Sequence, residues 1–192
     1  MSTDPQALRA LAHPLRWKLI DVLEREGDAT ATRCAELTGE SVASCAYHLG
    51  ILAKYGYVEA SPGRSGREKP WRLTGREQRI GNDDREDIDG ELAAQAAVEA
   101  FLEHEFGRLR QRVRQRDREE PEWRDASCIV GSSMWVTAAE MKEIETQLMQ
   151  IARRYSARDD DPSLRPAGAR QARMFATNTV APRLPREQAD AS

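Results

Sequence analysis

The sequence predicts a mainly α protein with a small β component, an α+β fold in two parts. Three observations carry this. Apolar residues recur at helical spacing over 5–56, 91–118 and 137–155. Two short strand-like runs, "YVEA" and "PWRLT", flank the glycine-rich, basic "SPGRSGREK", the pattern of a hairpin with a long polar tip. Hydrophobic residues at 40% and charged residues at 32% suit a helical protein better than a sandwich or barrel.

Residues 5–12, "PQALRALA", read as a short helix opened by Pro5. Pro14 can begin the next, in which Leu15, Leu19, Ile20, Val22 and Leu23 form an apolar stripe and Gly27 is the stop. "TATRCAELTG" predicts two turns of helix, with Thr30 as N-cap, Cys34 and Leu37 pointing inward and Gly39 as terminator. Ser41 can cap the following helix, whose Cys45, Leu49 and Leu52 share one face until Gly56 ends it. Two helices joined by a short glycine-containing turn fit the helix-turn-helix motif. With the basic hairpin after them, they predict a winged helix-turn-helix.

"TGREQRIGNDDREDIDG" is polar and glycine-dotted, as a linker is. A long helix follows over about 91–118. Its Val98, Leu102, Phe106, Leu109 and Val113 share a face, and Ala93, Ala94, Ala96 and Ala97 allow close helix–helix approach. "WRDASCIVGSSMWV" predicts one strand or a tight pair. Thr137 and Glu140 form a T-x-x-E capping box, after which Met141, Ile144, Leu148, Ile151 and Tyr155 repeat as a two-heptad seam. "RQARMFAT" is a candidate last strand. The expected organisation is a DNA-binding domain over 1–80, a linker over 81–90, a helix–strand–helix dimerisation and candidate effector region over 91–178, and a disordered tail over 179–192.

Composition bounds the function. No apolar run approaches the roughly 20 residues of a membrane helix. Three cysteines without a paired pattern suggest reduced thiols in a cytoplasm. The net charge of −3 conceals an asymmetry: residues 41–80 hold seven Lys/Arg against three acids, and residues 81–120 hold seven arginines against twelve acids. A local basic patch is what binds phosphates.

The stretch "SCAYHLGILAKYG" sets Cys45 and His48 one helical turn apart, as two metal ligands would be. Helical phase separates them: Cys45 follows Leu49 and Leu52 inward, while Ser41, Ala43, Ser44, Tyr47 and His48 fall on or near the opposite side. An α-helix fits the major groove, and its first turns reach base edges. Serine can contact bases or phosphates, Ala43 a thymine methyl, and Tyr47 and His48 can donate to either. Arg64, Arg67 and Lys69 in the hairpin tip are placed to neutralise phosphates or enter the minor groove. Lys54 is a further candidate for backbone contact, as are Arg16 and Lys18.

"ALAHPLRWKLIDVL", "SVASCAYHLGILAKYGYVE" and "GREKPWRLT" resemble the arsenic-repressor (ArsR) type of bacterial winged-helix transcriptional regulators, over about residues 5–75. The resemblance implies a dimeric DNA-binding repressor or activator. It does not carry metal sensing across. The family's metal motif places two cysteines around a valine where this chain has "TATRCAEL" with the single Cys34, and His104 in "FLEHEF" lacks a partner histidine.

No metal site, cofactor or catalytic constellation is expected, since nucleophile elbow, phosphate-binding glycine loop and metal dyad are all missing from the sequence. The C-terminal half has two readings. Its apolar residues bury a dimer interface, or Phe101, Phe106, Trp123, Met134, Trp135 and Met141 line a pocket for an unknown small-molecule effector. The expected function is a cytoplasmic, homodimeric transcriptional regulator, a repressor of double-stranded operator DNA, with no membrane partner. The alternative is a winged-helix protein-interaction module without specific DNA binding.

Overall fold

A computed structural model describes residues 5–62, 69–75 and 88–181. The chain is mainly helical with one small antiparallel sheet, and it divides into two compact units, Met1–Asp125 and Ala126–Ser192. No helix among the described residues is long and apolar enough to cross a membrane.

The first unit is built around α2 (Pro14–Glu26), which follows the short α1 (Pro5–Arg9). His13 caps α2 by accepting the Leu15 N–H on Nδ1 at 3.2 Å, Pro14 fills the first turn, and Gly27 ends it at φ 78°. Leu15, Trp17, Leu19, Ile20, Val22 and Leu23 are all buried, so α2 lies inside the unit and not on it. Helices α3 (Ala31–Thr38) and α4 (Val42–Lys54) cover it on one side with Cys34, Cys45, Leu49 and Leu52. The caps at Thr30 and Ser41 form as the sequence predicts, and Gly39 takes the left-handed conformation that frees the chain to turn. Leu37 departs from expectation. It is 39% exposed, because the inner face of this two-turn helix is formed by Ala31, Cys34 and Ala35.

β1 (Val58–Ala60) and β2 (Trp71–Leu73) pair antiparallel, with Val58 opposite Leu73, Glu59 opposite Arg72 and Ala60 opposite Trp71. Ala29 forms an isolated bridge to Trp71, exchanging both backbone hydrogen bonds at 3.0 and 2.8 Å, so the loop before α3 extends the sheet by one residue.

The long helix α5 (Ile88–Gln115) starts three residues before the predicted position and continues into a 3-10 turn, Arg116–Arg118. It packs on α1 and α2. Ala93, Ala94 and Ala97 are the buried contact, Phe101 meets the Trp17 ring at 4.9 Å, and Asp21 of α2 receives His104 Nε2 at 2.8 Å together with Arg108 Nη1. The alanines therefore serve close approach within the chain. This face binds α5 into the first unit, which runs to Asp125. Its other face leaves Leu92, Phe106, Leu109 and Val113 exposed. Helix α6 (Pro121–Ala126) occupies the start of the segment predicted as strand.

In the second unit α7 (Ala138–Arg153) carries the predicted capping box. Thr137 Oγ1 accepts the Glu140 N–H at 3.3 Å, and Glu140 accepts the Thr137 N–H at 2.7 Å, which holds its carboxyl below the usual range. Met141, Ile144 and Leu148 are half-buried, while Ile151 and Tyr155 of the same seam are exposed. A one-turn α8 (Ala157–Asp160) and a 3-10 turn, Pro162–Leu164, follow. Residues 127–136 and 171–181 contain no helix or strand, contrary to the strands predicted there. β-propensity supplies the residues of a strand but not the neighbouring ladder a strand requires.

Replacing Asp21 with alanine removes the acceptor that joins α5 to α2. The expected loss is about 2 kcal/mol of unfolding free energy, the scale of a charge-assisted, largely buried hydrogen bond. Urea denaturation measures it. A shift below about 0.3 kcal/mol, the size of an exposed pair, would mean that the alanine face alone holds α5.

Candidate nucleic-acid interface

The α3–α4 pair is locked by its own side chains. Thr30 Oγ1 accepts the Arg33 N–H at 3.1 Å, Ser41 Oγ accepts the Ser44 N–H at 3.1 Å, and Thr38 Oγ1 donates to the Cys34 carbonyl at 2.8 Å. Only Gly39, Glu40 and Ser41 separate the two helices.

Helix α4 has one buried and one open face. Ala43 and Tyr47 are exposed as predicted, Tyr47 by 65%, and the exposed Lys54 lies 5.1 Å from the Tyr55 ring centre. Ser41 is exposed, with its Oγ engaged as the cap, and Ser44 is half-buried. Val42, Ala46 and Gly50 complete the open face. These three follow from the same helical phase that sets Cys45, Leu49 and Leu52 inward, yet small and apolar side chains give no polar signal to find them by. Before Lys54 the open face carries no charge.

His48 corrects its prediction. It is 8% exposed and belongs to the buried side. Its Nδ1 accepts the Arg16 Nε–H at 3.2 Å, its ring lies 4.3 Å from that of His13, and Tyr47 meets it edge-on at 5.2 Å. Position 48 falls between the inner and outer stripes, and Arg16 draws it in. An acceptor Nδ1 places the neutral ring's proton on Nε2. Burial, then His13 and then Arg16 hold the imidazole below its ordinary pKa, against a smaller opposing effect of Glu40.

Arg16 is the hub of this contact. Its Nη1 donates to the carbonyls of Ala10 at 2.6 Å and Arg9 at 3.3 Å, so one guanidinium ties the end of α1 to α2 and α4. It is a structural cation more than a free phosphate contact. Lys18 stands 3.5 Å from Glu40.

The hairpin contributes Lys69, which is exposed, and Arg72, which is paired with Glu59 at 2.6 Å. Arg64 and Arg67 lie outside the described residues. The six candidate pocket residues are not gathered within either unit. Phe101 packs on Trp17, Phe106 is exposed and Trp123 is half-buried in the first unit. In the second unit Met134 and Trp135 are exposed and Met141 is half-buried. The depressions along α7 are lined mainly by polar side chains such as Lys142, Glu143, Thr146 and Gln147, with Met141 at the edge of one.

Among the described residues no three His, Cys, Asp or Glu side chains gather as a metal site would need. Burial pushes the Cys34 thiol up to about 11, with Cys45 and Glu26 adding to the shift, so it is an unreactive core group. No model of a known protein family matches the chain, and no curated protein matches it.

The lowered pKa of His48 sets a pH dependence. Between the ordinary value of about 6.5 and its lower folded value, the unfolded chain takes the proton first. Its contribution to stability is therefore whole above about pH 7 and falls as the solution is acidified through that window. His48→Gln, which keeps an acceptor for Arg16 without titrating, is expected to flatten the melting-temperature profile as the pH falls below about 7. A profile as steep as the parent's would place the titrating group elsewhere.

Proposed function

We propose that the chain is a sequence-specific DNA-binding transcriptional regulator, a dimeric repressor acting in the cytoplasm, and that residues up to about 75 form a winged helix-turn-helix. One observation carries the reading most directly. The open face of α4 follows a three-residue turn and is succeeded at once by an antiparallel hairpin with a basic connecting segment. The resemblance of "LAHPLR", "HLGILAKYGYV" and "PWRLT" to arsenic-repressor-type regulators supports it.

On this reading α4 enters the major groove with Ala43, Ala46 and Tyr47 toward the bases. Small apolar side chains admit close approach and meet thymine methyls, and the Tyr47 hydroxyl serves a base edge or phosphate. Lys54 at the end of α4 and the hairpin's Arg64, Arg67 and Lys69 supply the phosphate contacts that the open face before Lys54 lacks. The exposed apolar stripe of α5 supplies a face for a second copy, and a two-fold dimer matches a palindromic operator. An effector, where one exists, acts by binding the DNA-competent and incompetent states unequally.

A second reading, a winged-helix module that binds protein, is favoured by the absence of charge on α4 before Lys54. A gel shift against the DNA upstream of the chain's own gene, run across a salt series, separates the two. DNA binding is expected to weaken steeply as salt rises. Replacing Arg64 and Arg67 with alanine should weaken binding to all sequences and lower the salt slope by about one to two units. Tyr47→Ala should reduce discrimination between operator and random DNA by about tenfold and leave that slope unchanged. No shift at low ionic strength would favour the protein-binding reading.

A further inference from the structure

The second unit is not closed by its own side chains. None of its described residues is buried. Among the described residues, segment Cys128–Val136 makes no hydrogen bond, either within itself or to α7. The segment is nonetheless rich in strand formers. Ile129, Val130, Met134 and Val136 are exposed, and Trp135 is exposed by 101%, as open as a side chain on an isolated peptide. Such a segment is a template for strand addition.

The order of its residues indicates the partner. "CIVGSSMWV" is three apolar residues, three small ones and three apolar ones, nearly symmetric about Ser132. We infer that Cys128–Val136 becomes a β-strand by pairing antiparallel with the same segment of a second copy, across a two-fold axis at Ser132. That register sets Val130 opposite Met134, Ile129 opposite Trp135 and Cys128 opposite Val136, and each pair is apolar. Gly131, Ser132 and Ser133 meet at the centre, where small side chains let the strands approach. Pairing within one chain would need a hairpin turning at Gly131–Ser133 or a ladder to the segment 171–181, and among the described residues no backbone hydrogen bond forms either. With Ile151 and Tyr155 of α7, the exposed apolar side chains offer on the order of 800 Å², about what each partner buries in a standard interface. Two-fold pairing also engages the same residues of both copies alike.

This inference is independent of DNA binding. Its test is cross-linking of the full chain in a Cys128→Ser background. Ser132→Cys places two thiols opposite each other at a separation a disulfide spans, so mild oxidation should convert most of the protein to a reducible dimer. Ala126→Cys, at the end of α6 and outside a strand whose Cys128 would lie about 26 Å from its symmetry mate, should not cross-link. Trp135→Asp should raise the dimer dissociation constant at least tenfold in sedimentation equilibrium, with helical circular dichroism retained. A monomeric parent chain at tens of micromolar would overturn the proposal. So would a dimer in which position 132 cross-links no better than position 126, as contact through α5 alone would give.

Discussion

Helix α2 is buried around most of its circumference, and the first unit is arranged by that constraint. A helix inside a protein must still anchor its few polar residues. Here Arg16 and Asp21, five positions apart, point about 140° from each other around the axis. Arg16 holds the end of α1 and His48 of α4, and Asp21 holds His104 and Arg108 of α5. The Trp17 ring lies on the arc between them, against Phe101 and His104, with its indole N–H donated to the Leu11 carbonyl at 2.7 Å. Thus α1, α4 and α5 each gain a directional contact to α2. Apolar burial drives the packing, and the two charged anchors fix how the helices are rotated.

Local signals were legible in the sequence wherever they were complete within a few residues. The caps at Thr30, Ser41 and Thr137 and the stops at Gly27 and Gly39 bond to backbone within one turn, so each is readable without its surroundings. The inward stripe of α4 was readable for the same reason. His48 was not, because its position depends on Arg16, which is 32 residues away. The bridge from Ala29 to Trp71 and the contact of Asp21 with α5 are longer still in range. The alanines of α5 announced close approach but not to what, and the structure places them against α1 and α2.

The departures at 127–136 and 171–181 are of another kind. Strand-forming residues state a preference for a pleated, half-covered surface, and a strand exists only when a second strand meets it. Helix α7 needs no such partner for its backbone, since its hydrogen bonds close within the helix and its first turn is satisfied by Thr137 and Glu140. This difference explains why helices of both units appear at the predicted places while the second unit's predicted strands do not.

The chemistry of α4 also bears on where affinity and selectivity would arise in a complex with DNA. Phosphate contacts supply most of the affinity and its salt dependence, whereas contacts at base edges discriminate sequence. Helix α4 offers Val42, Ala43, Ala46, Tyr47 and Gly50 before its first charge at Lys54, a surface suited to discrimination and poor in attraction. The Arg16 charge beside it is already shared between two carbonyls and an imidazole. The buried His48 holds α4 from behind its open face, between Arg16, His13 and Tyr47. Attraction must then come from another element, and the basic residues of the β1–β2 connection follow α4 directly in the chain.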